Sequence, residues 1–127
     1  MNRAVISVGS NIEPEKHVRW ARQRIAEELK LVAESEFVET EPIGRPDQPN
    51  FLNGAFLVET SRSRDELEAW LKSLEQELGR VKQADKYGPR TIDLDLVVWN
   101  DAVVHPDVYE REFLRKAVRQ LLPHLEL

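Results

Sequence analysis

The sequence predicts an α+β fold, an antiparallel sheet with helices packed against it, and three observations predict it. Residues 4–8, 35–40, 51–60 and 92–98 are apolar or alternating runs of strand character. Residues 15–32, 64–78 and 109–122 carry apolar side chains at steps of three and four, the signature of helices with one buried face. A chain of 127 residues, 41% hydrophobic and 32% charged, is long enough to build a core without disulfides or metals and is expected to be one domain spanning residues 1–127.

Taken in order, Ala4-Val5-Ile6-Ser7-Val8 reads as a buried first strand that stops at Gly9-Ser10-Asn11. Val18, Ala21, Ile25, Leu29 and Val32 then define the apolar face of helix one. The second strand contains Phe37 and ends as Pro42 approaches. Three prolines and one glycine fall within the eight residues 42–49, which makes a shaped loop able to present backbone groups to a ligand. In the third strand Asn53 is the polar residue among Phe51, Leu52, Ala55, Phe56 and Val58. Ser63 with Glu66 three residues on forms a capping box for helix two, whose stripe Leu67, Leu71, Leu74 and Leu78 runs to Gly79, a glycine suited to end it. A last strand, a turn at Asn100-Asp101 and a terminal helix complete the order β-α-β-β-α-β plus one extra C-terminal helix. That order is the split βαβ or ferredoxin-like sandwich, with helices on one face of its sheet.

Charge narrows the function. The formal net charge of −5 argues against a nucleic-acid binder, and no apolar run approaches the roughly 20 residues of a membrane helix. With no cysteine, thiolate and disulfide chemistry drop out, and a cytoplasmic location is the expectation. Zinc spacing, a phosphate-binding G-x-x-x-x-G-K-[ST] loop and a nucleophile elbow are absent as well.

The chemistry concentrates in residues 86–98. Side chains at i and i+2 share one face of a strand, so Asp93 and Asp95 stand together while Ile92, Leu94 and Leu96 face the core. Adjacent carboxylates repel, which raises a pKa or invites a cation, and an all-oxygen donor set suits Mg²⁺. Arg80, Lys82, Lys86 and Arg90 lie within the eleven residues 80–90, directly before that pair. A divalent cation beside several basic side chains is the arrangement that holds a polyphosphate. Glu75, near the end of helix two, and His105, after the carboxylate strand, are placed to reach the same cleft, whereas His17 and His124 read as surface or core-edge residues.

At Gly9-Ser10-Asn11, Thr40-Glu41-Pro42-Ile43-Gly44, Asp47-Gln48-Pro49-Asn50-Phe51-Leu52-Asn53, Leu78-Gly79-Arg80 and Gly88-Pro89-Arg90-Thr91-Ile92-Asp93-Leu94-Asp95, the chain resembles the 6-hydroxymethyl-7,8-dihydropterin pyrophosphokinases. The resemblance runs from Val5 to about Phe113. It implies a ferredoxin-like fold and transfer of pyrophosphate from ATP to the hydroxymethyl group of a reduced pterin in folate biosynthesis. It also implies that Asp93 and Asp95 hold two Mg²⁺ ions, and that Arg80 and Arg90 belong to the catalytic apparatus. On the same basis Glu75, Lys82, Lys86, Arg90, Leu96, His105 and Arg111 would contact ATP. Thr40, Pro42, Ile43, Phe51, Asn53, Tyr87 and Phe113 would form the pterin side, where aromatic faces and an amide suit a flat, polar-edged heterocycle. The segment from Gly79 to Pro89 would be a lid.

One departure opens an alternative. Only nine residues separate Asp95 from His105, fewer than the family usually has, and Lys82 and Lys86 stand where arginine is more usual. The alternative is a pterin-binding or regulatory homologue with weakened or lost ATP-dependent activity. The sequence leaves the oligomeric state open.

Overall fold

The structure is a computed structural model and describes residues 1–42, 47–79 and 92–127. Its strands are β1 (Asn2–Ser10), β2 (Lys30–Glu34), β3 (Val38–Thr40), β4 (Phe51–Thr60), β5 (Asp93–Trp99) and β6 (Ala102–Val103). Its helices are α1 (Pro14–Glu28), α2 (Arg64–Glu77), α3 (Asp107–Glu110) and α4 (Glu112–Leu121). The class is α+β, as expected.

The sheet order is β2-β4-β1-β5-β6, with β3 also on β4, and every pairing is antiparallel. β1 and β2 both pair antiparallel with β4, so they run parallel to one another and need the crossover that α1 supplies. The same holds for β4 and β5, joined across β1 through the segment that begins with α2.

Strand alternation divides the core in two. Ala4, Ile6, Val8, Phe56, Val58, Leu94 and Leu96 point to one face and pack with Val18, Ala21 and Ile25 of α1 and Leu67, Leu71 and Leu74 of α2. Val5, Ala55, Leu57, Val97 and Val98 point to the other, under Leu114, Ala117 and Val118 of α4. The extra C-terminal helix thus lies opposite the first two, and the sheet is the middle of three layers. Val97 and Val98 share a face because the β1–β5 register shifts between Val5 and Ile6, the signature of a bulge.

Several boundaries differ from the periodic reading. Helix one ends at Glu28 rather than 32: Leu29 is its buried cap, but Val32 is 41% exposed in β2. The stripe continued by coincidence, and pairing with β4 outweighed it. Of the strand expected over 35–40 only β3 forms, and β2, which lies before it, takes residues expected at the end of helix one. Ser35 lies between the two, its N–H donating to Ala55 O and its Oγ accepting from Ala55 N, both at 2.9 Å. The final helix is two, because Arg111 takes an extended conformation between α3 and α4. The capping box is present, Ser63 N donating to Glu66 Oε1 at 2.9 Å and Glu66 N to Ser63 Oγ at 3.2 Å. Gly79 follows α2 with φ +93°, a conformation open to glycine.

Candidate active site

The register of β4, β1 and β5 builds the floor of the site. Asn53 pairs with Gly9 and Gly9 with Asp93, so these three stand in one row across the sheet. Ala55, Ser7 and Asp95 form the next row. By alternation both rows belong to the face that α4 covers further along, where Val5 and Leu57 are buried. Small residues in the middle strand keep the floor low. A Cβ on Gly9 would fall 2.7 Å from Asn53 Oδ1, so only glycine leaves room for that amide.

Around one side of this floor, Asn53 Nδ2 donates to Thr40 Oγ1, and Phe51 pairs with Thr40 across β3 and β4. Asn53 is buried, whereas Phe51, Thr40 and Pro42 are half-buried. Phe113, at the start of α4, packs against the core on that same face. The motif at the end of β1 serves the fold. Asn11 Nδ2 donates to Gln48 Oε1 at 2.8 Å and to Pro49 O at 3.2 Å, tying the end of the proline-rich segment to the central strand.

On the other side lies a cleft of about 440 Å³ between α2 and β5, lined by Asp65, Glu68, Ala69, Leu71, Lys72, Leu94, Asp95, Leu96, Val104 and His105. Among the described residues β6 pairs with Val98 and Trp99, and the edge of β5 before them meets α2 through Glu75. The short Asp95–His105 segment makes this possible by turning in two residues, Asn100 and Asp101, with φ of 46° and 67°. Positive φ at both positions fits the twist of a tight hairpin, and Asn is well suited to it. Val104 and His105 thereby return to the cleft. His105 Nδ1 accepts from Asp107 N at 3.1 Å, which fixes the ring's orientation.

Of the sequence-predicted residues, the cleft gathers Asp95, Leu96 and His105. Thr40, Phe51, Asn53 and Asp93 belong to the floor beside it. Asp95 does both: it shares the Ser7 row and lines the cleft. Glu75 is 2% exposed, and its Oε2 accepts from Leu94 N at 2.7 Å, so it secures the edge of β5 from beneath. Arg111 is half-exposed at the α3–α4 junction and does not line the cleft. Ile43, Arg80, Lys82, Lys86, Tyr87 and Arg90 lie outside the described residues, as does most of the expected lid.

Asp93 and Asp95 offer carboxylate oxygens from one strand face, and the Asp95 side chain is 40% exposed. Among the described residues no cluster of three His, Cys, Asp or Glu could hold a metal by protein ligands alone. The pair fits Mg²⁺, which takes one or two carboxylates and completes its shell with water and phosphate oxygens.

A model of the 7,8-dihydro-6-hydroxymethylpterin-pyrophosphokinase (HPPK) family matches residues 5–123. The chain belongs to this family. It is 34% identical to the 2-amino-4-hydroxy-6-hydroxymethyldihydropteridine pyrophosphokinase of Bacillus subtilis, over 98% of this chain and 81% of that protein. With the protein of the same name from Pseudomonas aeruginosa the identity is 30%, over 100% of this chain and 85% of the other. It is also 38% identical to the folic acid synthesis protein fol1 of Schizosaccharomyces pombe, over 96% of this chain, and spans 18% of that protein's length. The HPPK chain is accordingly a pyrophosphokinase, a diphosphotransferase of folate biosynthesis.

One residue of this cleft escaped the sequence reading. Lys72 Nζ lies 3.3 Å from Asp95 Oδ1 and 3.4 Å from both Glu75 Oε2 and Leu94 O. Burial alone would lower its pKa, but the charges of Asp95 and then Glu75, with their hydrogen bonds, outweigh that and raise it above the ordinary lysine value. The i,i+3 spacing of Lys72 and Glu75 was a visible signal. Asp95 as the third partner was not, being twenty-three residues away in the chain.

Proposed function

We propose that the chain is a working enzyme, a single domain over residues 1–127 that transfers the pyrophosphoryl group of ATP to 6-hydroxymethyl-7,8-dihydropterin. The position of Asp95 carries this reading, because one carboxylate borders both the floor beside Asn53 and the cleft beside His105. A strand order in which crossover helices link β1 to β2 and β4 to β5 supports reading the fold as ferredoxin-like.

In this proposal the pterin lies toward Thr40, Pro42, Ile43, Phe51, Asn53, Tyr87 and Phe113, with the buried Asn53 amide addressing its polar edge. ATP occupies the cleft, with Leu96 and His105 on its walls, Glu75 beneath, and Arg80, Lys82, Lys86 and Arg90 supplying positive charge to the phosphates, while Arg111 stays outside it at the α3–α4 junction. Asp93 and Asp95 would hold a pair of Mg²⁺ ions. Bound there, Mg²⁺ neutralises phosphate charge and acidifies the hydroxymethyl group. The pterin oxygen bonds to the β-phosphorus, the bond between the α-phosphate oxygen and that phosphorus breaks, and AMP leaves. Asp95 is placed to accept the hydroxyl proton. The rest of catalysis is positioning in line and charge neutralisation. A cytoplasmic location, where ATP is at hand, belongs to the same proposal.

The short Asp95–His105 segment, which motivated the reading of a pterin binder without ATP chemistry, forms a clean two-residue hairpin that still brings His105 to the cleft. That observation favours the enzyme. Incubation with ATP, Mg²⁺ and the dihydropterin should release AMP and the diphosphorylated pterin, and Asp95→Ala should abolish both while keeping a wild-type circular dichroism spectrum. Tight pterin binding by calorimetry with no AMP above background would establish the regulatory alternative.

A further inference from the structure

We infer that Lys72 is a resident counter-ion for Asp95, holding that carboxylate in place and competing with the divalent cation for it. The inference rests on the reading of Asp95 as a metal-bearing carboxylate and says what guards that carboxylate before the cation arrives.

The geometry separates the three contacts of the ammonium. Glu75 is 2% exposed and bonded to the backbone of β5, so the contacts of Lys72 to Glu75 Oε2 and Leu94 O sit on fixed partners. The contact to Asp95 is wet at both ends, with side chains 55% and 40% exposed. Exposed ion pairs contribute little, and this is the one that yields. An ammonium 3.3 Å from Oδ1 occupies the ground a metal bound to that oxygen would take, and two cations so close repel.

The exchange has a direction. Metal arrival displaces Lys72 from Asp95 alone, and the ammonium stays on Glu75 and Leu94 O, so the cleft wall is kept. Until then the ammonium neutralises Asp95 and relieves its repulsion with Asp93, two residues away on the same face. Lys72 is therefore a positioning residue, and its cost appears in cation affinity.

Binding of Mn²⁺ alone to the full chain, followed by the electron paramagnetic resonance of the free ion, tests this. Lys72→Met should bind Mn²⁺ about threefold to tenfold tighter than wild type, the range expected from removing a partly screened positive charge. Lys72→Gln, which keeps a donor for Leu94 O and Glu75, should do the same, while Lys72→Arg should stay near wild type. A purely structural lysine would leave Mn²⁺ affinity untouched, so equal or weaker binding by folded Lys72→Met and Lys72→Gln overturns the inference. Asp95→Asn separates the two layers: if it binds Mn²⁺ as wild type does, the metal role of Asp95 fails, and the competition with it.

Discussion

Glu75 Oε2 accepts the backbone N–H of Leu94 at 2.7 Å, and through that bond a buried helix carboxylate does for the edge of β5 what a neighbouring strand would otherwise do. An open edge beside a substrate cleft is a liability, since its amides seek other partners. Among the described residues no strand pairs with β5 at Leu94 on this edge, and Glu75 with Lys72 satisfies its N–H and its C=O instead.

Glu75→Ala should therefore destabilise the fold. Leu94 is fully buried, and leaving its N–H without a partner costs about 1–3 kcal/mol. Glu75→Gln retains an acceptor and should lose less. Urea denaturation of the three proteins checks the order, and an alanine variant as stable as wild type would show that the amide finds another partner.

Gly9→Ala should act on the pterin rather than on ATP. Its new Cβ would meet Asn53 Oδ1 at 2.7 Å and force aside an amide already bonded to Thr40. If Asn53 faces the pterin as proposed, displacing it by a fraction of an ångström to an ångström should lower kcat/KM for the pterin on the order of 10- to 100-fold. Steady-state kinetics with each substrate varied in turn gives the test: an equal rise in the KM for ATP would mean that Asn53 does not discriminate the two sites.

The α2 cap should make stability depend on acid. Glu66 accepts from Ser63 N, and this backbone bond, with the Ser63 side chain and then Arg62, holds its carboxyl below the ordinary glutamate value. A carboxyl depressed in the folded state adds stability that is present above the unfolded pKa and lost as pH falls through the folded one. Wild type should thus lose stability relative to Glu66→Gln across the acid side of the ordinary glutamate range. Parallel denaturation curves at falling pH, with a constant difference between the two proteins, would contradict this.

Features encoded within a few residues are legible in the sequence alone. The Ser63–Glu66 cap, the glycine after α2, the Asn100-Asp101 turn and the shared face of Asp93 and Asp95 follow from backbone geometry that neighbours in sequence determine. Errors arise where distant partners outweigh local pattern. Val32 extends a helical stripe into the segment that pairs with β4 as a strand, and Arg111 divides a terminal helix whose periodicity looks continuous.

By itself, then, the sequence determined the α+β class, the carboxylate pair and, through its motifs, the family. Only the tertiary structure decided that Gly9 aligns Asn53 with Asp93, that α4 lies across the sheet from α1 and α2, and that Lys72 of α2 reaches Asp95 of β5. The physical reason is range. Periodicity tells which face a side chain joins, but strand register and the packing of α2 on β5 decide which side chains from distant segments meet there.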